Sequence, residues 1–232
     1  MDAAPGQAAG NLAAMPAADP SHASGGAHPS APGTLVLHGL RLKAFPETDA
    51  LAIAAGLPVA TVAPLLDELA AAGHVRRVEG RVRGWTLTAE GRREGERRLA
   101  EELDASGARD AVRADYDAFV ALNPELLSLC TDWQVRGEEV NDHTDAGYDR
   151  AVVDRLVDLH VRARPLLADL RAHLARFASY PARLRAALER VTEGEREWFT
   201  KPTIDSYHTV WFELHEDLLA TLGLERAKES ET

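Results

Sequence analysis

Cysteine is nearly missing from this chain: Cys130 is the only one in 232 residues. A lone thiol excludes an intramolecular disulfide framework and suits a reducing compartment. Lysine is scarce as well, and aromatic residues make up only 6%. No apolar stretch approaches the roughly 18–20 uncharged residues that a membrane-spanning helix needs. The N-terminus opens on Ala and Pro, without the cationic start and apolar segment of a secretory signal. The expectation is a cytoplasmic protein with no membrane partner. A Gly-rich phosphate loop, a nucleophile elbow and a paired-His zinc motif are all absent, so neither catalysis nor a cofactor is expected. His208 and His215 lie two helical turns apart, roughly 10.5 Å, too far for one metal shell. Nothing gives Asp142, His143 and Asp145 tetrahedral spacing either, and no metal is expected.

What is present is a soluble composition, 45% hydrophobic and 27% charged, with 41 alanines and 23 arginines against three lysines. That bias matches a GC-rich bacterial genome. The net charge of −11 is unevenly spread. Residues 1–34 carry −2, residues 35–98 carry +2 and residues 99–232 carry −11. A weakly basic module joined to a strongly acidic one is compatible with a nucleic-acid contact made by the first alone.

Three parts follow from the texture of the chain. Of the first 33 residues, 24 are Ala, Gly, Pro or Ser, and large apolar side chains are almost absent. Burial there cannot offset the ordering entropy, so residues 1–33 are expected to be a disordered arm with His22 and His28 solvated. From 34 to 89 the pattern changes. Val36, Leu37, Leu40 and Ala44 make a short helical stripe. Thr48 or Asp49 caps a second helix through Leu51, Ala52 and Ala55, which stops at Gly56. A third carries Val62, Leu65, Leu66 and Leu69 and ends at Gly73. His74/Val75/Arg76 and Arg83/Trp85/Leu87 then alternate around a Glu79–Gly80 turn, as a β-hairpin does.

Three short helices followed by a two-stranded wing is the order of a winged helix-turn-helix. The stretch DALAIAAGLPVATVAPLLDELAAAGHVRRVEGRVRGWTLTAEGR resembles the DNA-binding core of MarR-type transcriptional regulators. The features that match are the Leu51–Ala52 helix, the Gly56 turn, Thr61–Val62, the Leu69…Gly73-His74-Val75-Arg76-Arg77 exit, the wing, and the Leu87-Thr88-Ala89-Glu90-Gly91-Arg92 start of the next helix. The resemblance covers roughly a quarter of the chain. It implies a homodimer that binds double-stranded DNA and answers to a small-molecule effector.

In that family the second helix of the motif enters the major groove. Here its exposed positions would be Val59, Ala60, Thr61 and Pro64, with Asp67 and Glu68 beyond. None is an Arg, Lys, Asn or Gln, the types that make bidentate base contacts. Pro64 also removes a helical N–H. This departs from the pattern and shifts the expected contact to the wing. Arg76, Arg77, Arg81 and Arg83 surround the Gly80 tip, and alternation would send Arg81 and Arg83 to one face, where they would straddle a phosphate or enter a minor groove. The alternative is a solvated basic strand balanced by Glu79, Glu90 and Glu94. Thr61 would touch a phosphate or a thymine methyl.

Residues 90–232 are expected to be an acidic, all-α domain for dimerisation or ligand sensing. Its helices are predicted over 90–103, 110–122, from an Asn123 cap with Pro124 at the first position, 149–177 with a kink at Pro165, 181–191 and 204–222. Residues 137–148 are predicted as a polar loop. Two stretches, 128–145 and 197–219, hold three of the four tryptophans, the cysteine and His143, His208 and His215. A ligand pocket would draw on Asp132, Trp133, Gln134, His143, His208, Trp211 and His215. The alternative is that these aromatics are simply core. Cys130 is either a buried, inert thiol or a redox switch. The phrases NPELLSLCTDWQ and WFTKPTIDSYHTVWFELHEDLL are similar to a helical segment accompanying pyruvate phosphate dikinase-type enzymes. The two functions that follow are a DNA-binding transcriptional regulator and, from a different class, a protein-interaction module whose winged helix no longer reads DNA. The latter would dock on a phosphoenolpyruvate-utilising enzyme.

Overall fold

The computed structural model describes residues 26–224. The expected disordered arm, His22 included, lies outside the described residues as far as 25. The described residues are mostly helical, with two small antiparallel two-stranded sheets. Helix α1 (Pro32–Leu42) is followed by α2 (Thr48–Ala55) and α3 (Val59–Ala71). Gly56, at φ +64°, ends α2 in the left-handed conformation, and after the three-residue break 56–58 the helix direction turns by 108° into α3. Strands β1 (Val75–Val78) and β2 (Gly84–Leu87) pair antiparallel, Val75 opposite Leu87 and Val78 opposite Gly84. The connection is the five-residue loop 79–83 rather than a two-residue Glu79–Gly80 turn. Arg81 and Arg83 therefore sit in the loop, not on one face of a strand.

Leu37, Leu51, Val62, Leu66, Leu69 and Val75 form the core of this first unit, with Trp85 and Leu87 packed at its edge. Two glycines allow its tight joints. Gly84 adopts φ +136°, and a Cβ there would lie 2.1 Å from the carbonyl oxygen of Phe45. A Cβ on Gly91 would lie 1.8 Å from the carbonyl oxygen of His74. The first turn of helix α4 (Ala89–Ser106) thus seats directly on the entry to β1. Thr88 caps α4 by accepting from the Gly91 N–H at 3.0 Å and donates its own hydroxyl to the Gly73 carbonyl at 2.7 Å.

Helix α4 leads into the second unit, packing on α1 and on the last helix. Helix α5 (Arg109–Gln134) runs unbroken through Pro124. The expected break at Asn123 does not occur, because Phe119, Leu126 and Leu129 are all fully buried and their packing outweighs the lost proline N–H. Asn123 instead accepts the indole N–H of Trp211 at 3.1 Å. Next come the two-residue strands β3 (Val135–Arg136) and β4 (Glu139–Val140), turned at Gly137, so the second unit is not all-α. Helix α6 (Ala146–His173) is capped by Asp145 and contains Pro165. It stops four residues before Phe177, because Leu174 is extended and bridges to His28, and a short 3₁₀ turn (Ala175–Ala178) follows. Helices α7 (Ser179–Thr192), α8 (Glu197–Thr200) and α9 (Tyr207–Leu222) complete the described residues.

The pairing of His28 corrects the arm boundary. Its N–H donates to the His173 carbonyl and its carbonyl accepts from Ala175, both at 2.9 Å. The order that was expected to begin at 34 includes these residues. A buried ionic cluster joins the two units. Arg176, 3% exposed, is held by Glu102 at 3.0 Å and by Asp217 and Thr221 of α9. Tyr180 donates to Asp217 at 3.0 Å, and His38 of α1 places Nε2 3.1 Å from the same carboxylate. Burial pushes the Asp217 pKa up, but Arg176, His38 and Tyr180 outweigh it and hold this carboxyl well below the usual range. Lys43 with Glu213 adds a second ion pair across the same joint. Among the described residues no single helix is long and apolar enough to cross a membrane.

Candidate functional site

The basic residues around the wing divide into two groups. Arg77 donates to Glu47 at 3.0 Å and lies over the Trp85 ring at 5.7 Å, so it ties the hairpin to the start of α2. Arg77, one of the expected DNA contacts, is thus engaged in an exposed ion pair. On α4, Arg93 pairs with Glu90, Arg97 with Glu94 and Glu101, and Arg98 with Glu94 at 2.7 Å. The hydrogen bond from Arg97 lowers the Glu94 pKa most; burial opposes it, and the hydrogen bond and charge of Arg98 then help bring it down to about 2. Glu90 and Glu94 are therefore taken up by the helix and do not balance the wing. Arg76, Arg81, Arg83 and Arg92 are exposed and have no carboxylate partner among the described residues. Val82 projects between the two loop arginines, 52% exposed.

On α3 the outward positions are Val59, Ala60, Ala63, Pro64, Asp67 and Glu68, all exposed, while Val62, Leu66 and Leu69 face the core. Thr61 is half-buried in the first turn, with its N–H bonded to the Pro58 carbonyl at 2.9 Å. Its hydroxyl is the one polar side chain near the start of the helix. Ile53, just before the turn, is 83% exposed.

The expected C-terminal pocket is two separate clefts. One, of about 230 Å³, has Leu126, Leu127, Trp211 and Phe212 as walls, with His208 and His215 beside them. Trp211 stacks on Phe119 at 4.5 Å and is 2% exposed, so most of this aromatic stripe is core, as one of the two sequence alternatives held. Burial lowers the pKa of His208, which favours its neutral form. The other cleft, of about 320 Å³, is lined by Trp133, Gln134, Asn141, His143, Arg196 and Lys201 among others. Asp132 lines neither: its carboxylate pairs with Arg155 at 2.7 Å on the surface. The thiol of Cys130 is buried, and desolvation pushes its pKa up to about 12. A redox switch needs accessible thiolate, so this cysteine is the inert alternative.

Three residues that sequence reasoning passed over surround His143: Asn141 and Arg196, which line the larger cleft, and Asp149, which does not. Asn141, 5% exposed, accepts the His143 N–H at 3.2 Å and donates its amide protons to the Trp133 carbonyl and to Asp149, each at 3.1 Å. Asp149 receives His143 Nδ1 with both oxygens at 3.1 Å. Arg196 donates to the His143 carbonyl at 3.0 Å. The only signal in the sequence was the cluster of Asn, Asp, His and Thr at 141–145, which reads as an ordinary polar loop. Comparison of the chain with known protein families, with curated proteins and with solved structures gave no match.

Proposed function

We propose that the chain is a DNA-binding regulator in which a winged helix-turn-helix (α1 to β2) grips duplex DNA mainly through the phosphate backbone, using the wing. The observation that carries this reading is the set of exposed guanidiniums on Arg76, Arg81 and Arg83 that have no carboxylate partner among the described residues. They stand in a chain of net charge −11 whose α4 arginines Arg93, Arg97 and Arg98 are all matched to glutamates. Exposed cations left without carboxylates suit an anionic partner, and phosphates are the partner that a wing offers them to. The 108° turn between α2 and α3 across a Gly-containing three-residue break supports the helix-turn-helix assignment. Because α3 carries no Arg, Lys, Asn or Gln on its outward face, base readout is weak and sequence preference rests on Thr61 and on duplex shape.

A second reading has its own support. The exposed apolar run Ile53, Val59, Ala60, Ala63 and Pro64 is what a protein-interaction face looks like, and it keeps the alternative of a module that docks on another protein. An electrophoretic mobility shift on the upstream region of the gene separates the two. The DNA reading expects a salt-sensitive shift at or below about micromolar protein. No shift at low salt, together with a stoichiometric protein partner in a native pull-down, would establish the second reading instead.

A further inference from the structure

The larger cleft of the helical unit has the features of a built site and plays no part in the DNA reading, so it stands or falls independently of it. Its central residue is His143, whose backbone is at φ +60°. A non-glycine residue there is held against a modest conformational cost, and that cost concentrates at functional positions. Asp149 fixes the imidazole. The amide nitrogen of Asn141 lies 3.1 Å from the Trp133 carbonyl and from Asp149, and 3.2 Å from Nδ1 of His143. That Nδ1 is 3.1 Å from both oxygens of Asp149, a carboxylate that only accepts, so it carries the proton and donates it there. In the neutral ring the lone pair is then on Nε2, which has no partner among the described residues. The ring is pinned further against Trp133, with centroids 4.6 Å apart, and Trp133 is backed by Phe199 at 4.7 Å.

Two cations line the same cleft, Arg196 and Lys201. Arg196 spends one N–H on the carbonyl of His143 itself and has no carboxylate partner among the described residues. Both residues, Arg196 and His143, line the cleft. Lys201 stands beside it, paired with Glu197 at 2.7 Å. Among the described residues no three His, Cys, Asp or Glu side chains converge on a metal position, so the free lone pair is matched to a proton donor. A volume of about 320 Å³ holds one small molecule.

We propose that this cleft binds a small organic acid bearing a hydrogen-bond donor next to its carboxylate, a 2-hydroxy or 2-amino acid. The carboxylate pairs with Arg196, the hydroxyl or ammonium donates to Nε2 of His143, and the body of the molecule rests on Trp133 and Val140. Asp149 is the positioning residue that sets the tautomer.

The test uses the full chain, with mandelate and phenylglycine as probes, phenylacetate as the analogue lacking the donor and mandelamide as the analogue lacking the charge. Binding is followed by calorimetry and by histidine ring ¹H–¹⁵N spectra. At least one of the first two should bind saturably and move the His143 ring signals while leaving those of His208 and His215 in place. Phenylacetate and mandelamide should each bind about tenfold more weakly or worse, as should the better probe to Arg196→Ala, whose fold is checked by unchanged His208 and His215 ring signals. Asp149→Asn should weaken it similarly and shift the ring towards the other tautomer, a spectroscopic change that a merely structural role would not produce. The proposal is overturned if His143 gives no saturable response up to about 10 mM of either probe. Equal affinity for phenylacetate, or unchanged binding by Arg196→Ala, would overturn it too.

Discussion

Replacing Asp217 by Asn tests how the two units are held together. The side chain is 2% exposed and receives Arg176, Tyr180 and His38 from three different elements. Asn preserves the shape and can still accept from Tyr180, but it removes the charge opposite Arg176, itself 3% exposed. Breaking one side of a buried ion pair costs about 3–5 kcal/mol. Glu102 still faces Arg176 at 3.0 Å, which puts the expected loss near the lower end, about 3 kcal/mol. For a chain of this size that corresponds to a fall in Tm of roughly 6–12 °C. The pH dependence gives a second check. Unfolded, Asp217 titrates near about 3.9. Folded, its neighbours hold it well below that, although burial alone would raise it. Its contribution is therefore complete above the unfolded value and lost as pH falls through the folded one. Calorimetry should show the full difference from pH 7 down to about 4, closing in stronger acid as the wild-type carboxyl is protonated. A difference under about 1 kcal/mol at neutral pH, or one still undiminished near pH 2, would refute the reasoning.

Asp115 behaves in the opposite sense. Burial first, then the nearby Asp169, raise its pKa to about 6 against a smaller lowering by His173. Its protonated form is favoured by folding, so stability present below about pH 4 is lost as pH rises through 6. Asp115→Asn should match the wild type near pH 4 and be more stable by about 1 kcal/mol at pH 8, the figure being discounted because the group is partly exposed. Urea titrations at the two pH values check it, and equal stability at both would count against it. For Cys130, with its pKa pushed up to about 12, a thiol reagent at pH 8 should react at least about 100-fold more slowly with the native chain than with the unfolded one. Comparable absorbance rates would show the thiol to be accessible.

What was legible in the sequence is what local periodicity carries. The stripe Val62, Leu66, Leu69 and the Gly56 stop mark α3, and the alternation around Trp85 marks the hairpin. Hidden from it were features decided by partners far along the chain. Pro124 reads as a helix start, yet burial of Phe119 and Leu126 carries α5 straight through it. Arg77 looks like a wing cation until Glu47, thirty positions earlier, is seen to hold it. The cleft shows the same limit from the other side. Trp133 and His143 drew notice as rare residue types, but Asn141 and Asp149 are common surface residues whose importance lies in geometry alone. Helical spacing placed His208, Trp211 and His215 on one face correctly, and it was tertiary packing that put His143 in a different cleft.

Whether the wing rather than α3 holds DNA is tested most directly by a salt titration of fluorescence anisotropy. Wild type, the double variant Arg81→Ala with Arg83→Ala, and Thr61→Ala would each be titrated on an operator duplex and on a scrambled one. Removing one cation–phosphate pairing lowers the slope of log affinity against log salt by about 0.9. The double variant should therefore bind both duplexes at least about tenfold more weakly, with the slope flattened by about two units. Thr61→Ala should change affinity only a few-fold, and only on the operator. If the double variant keeps wild-type slope and affinity while Thr61→Ala abolishes operator binding, α3 is the element that holds the DNA and the wing does not.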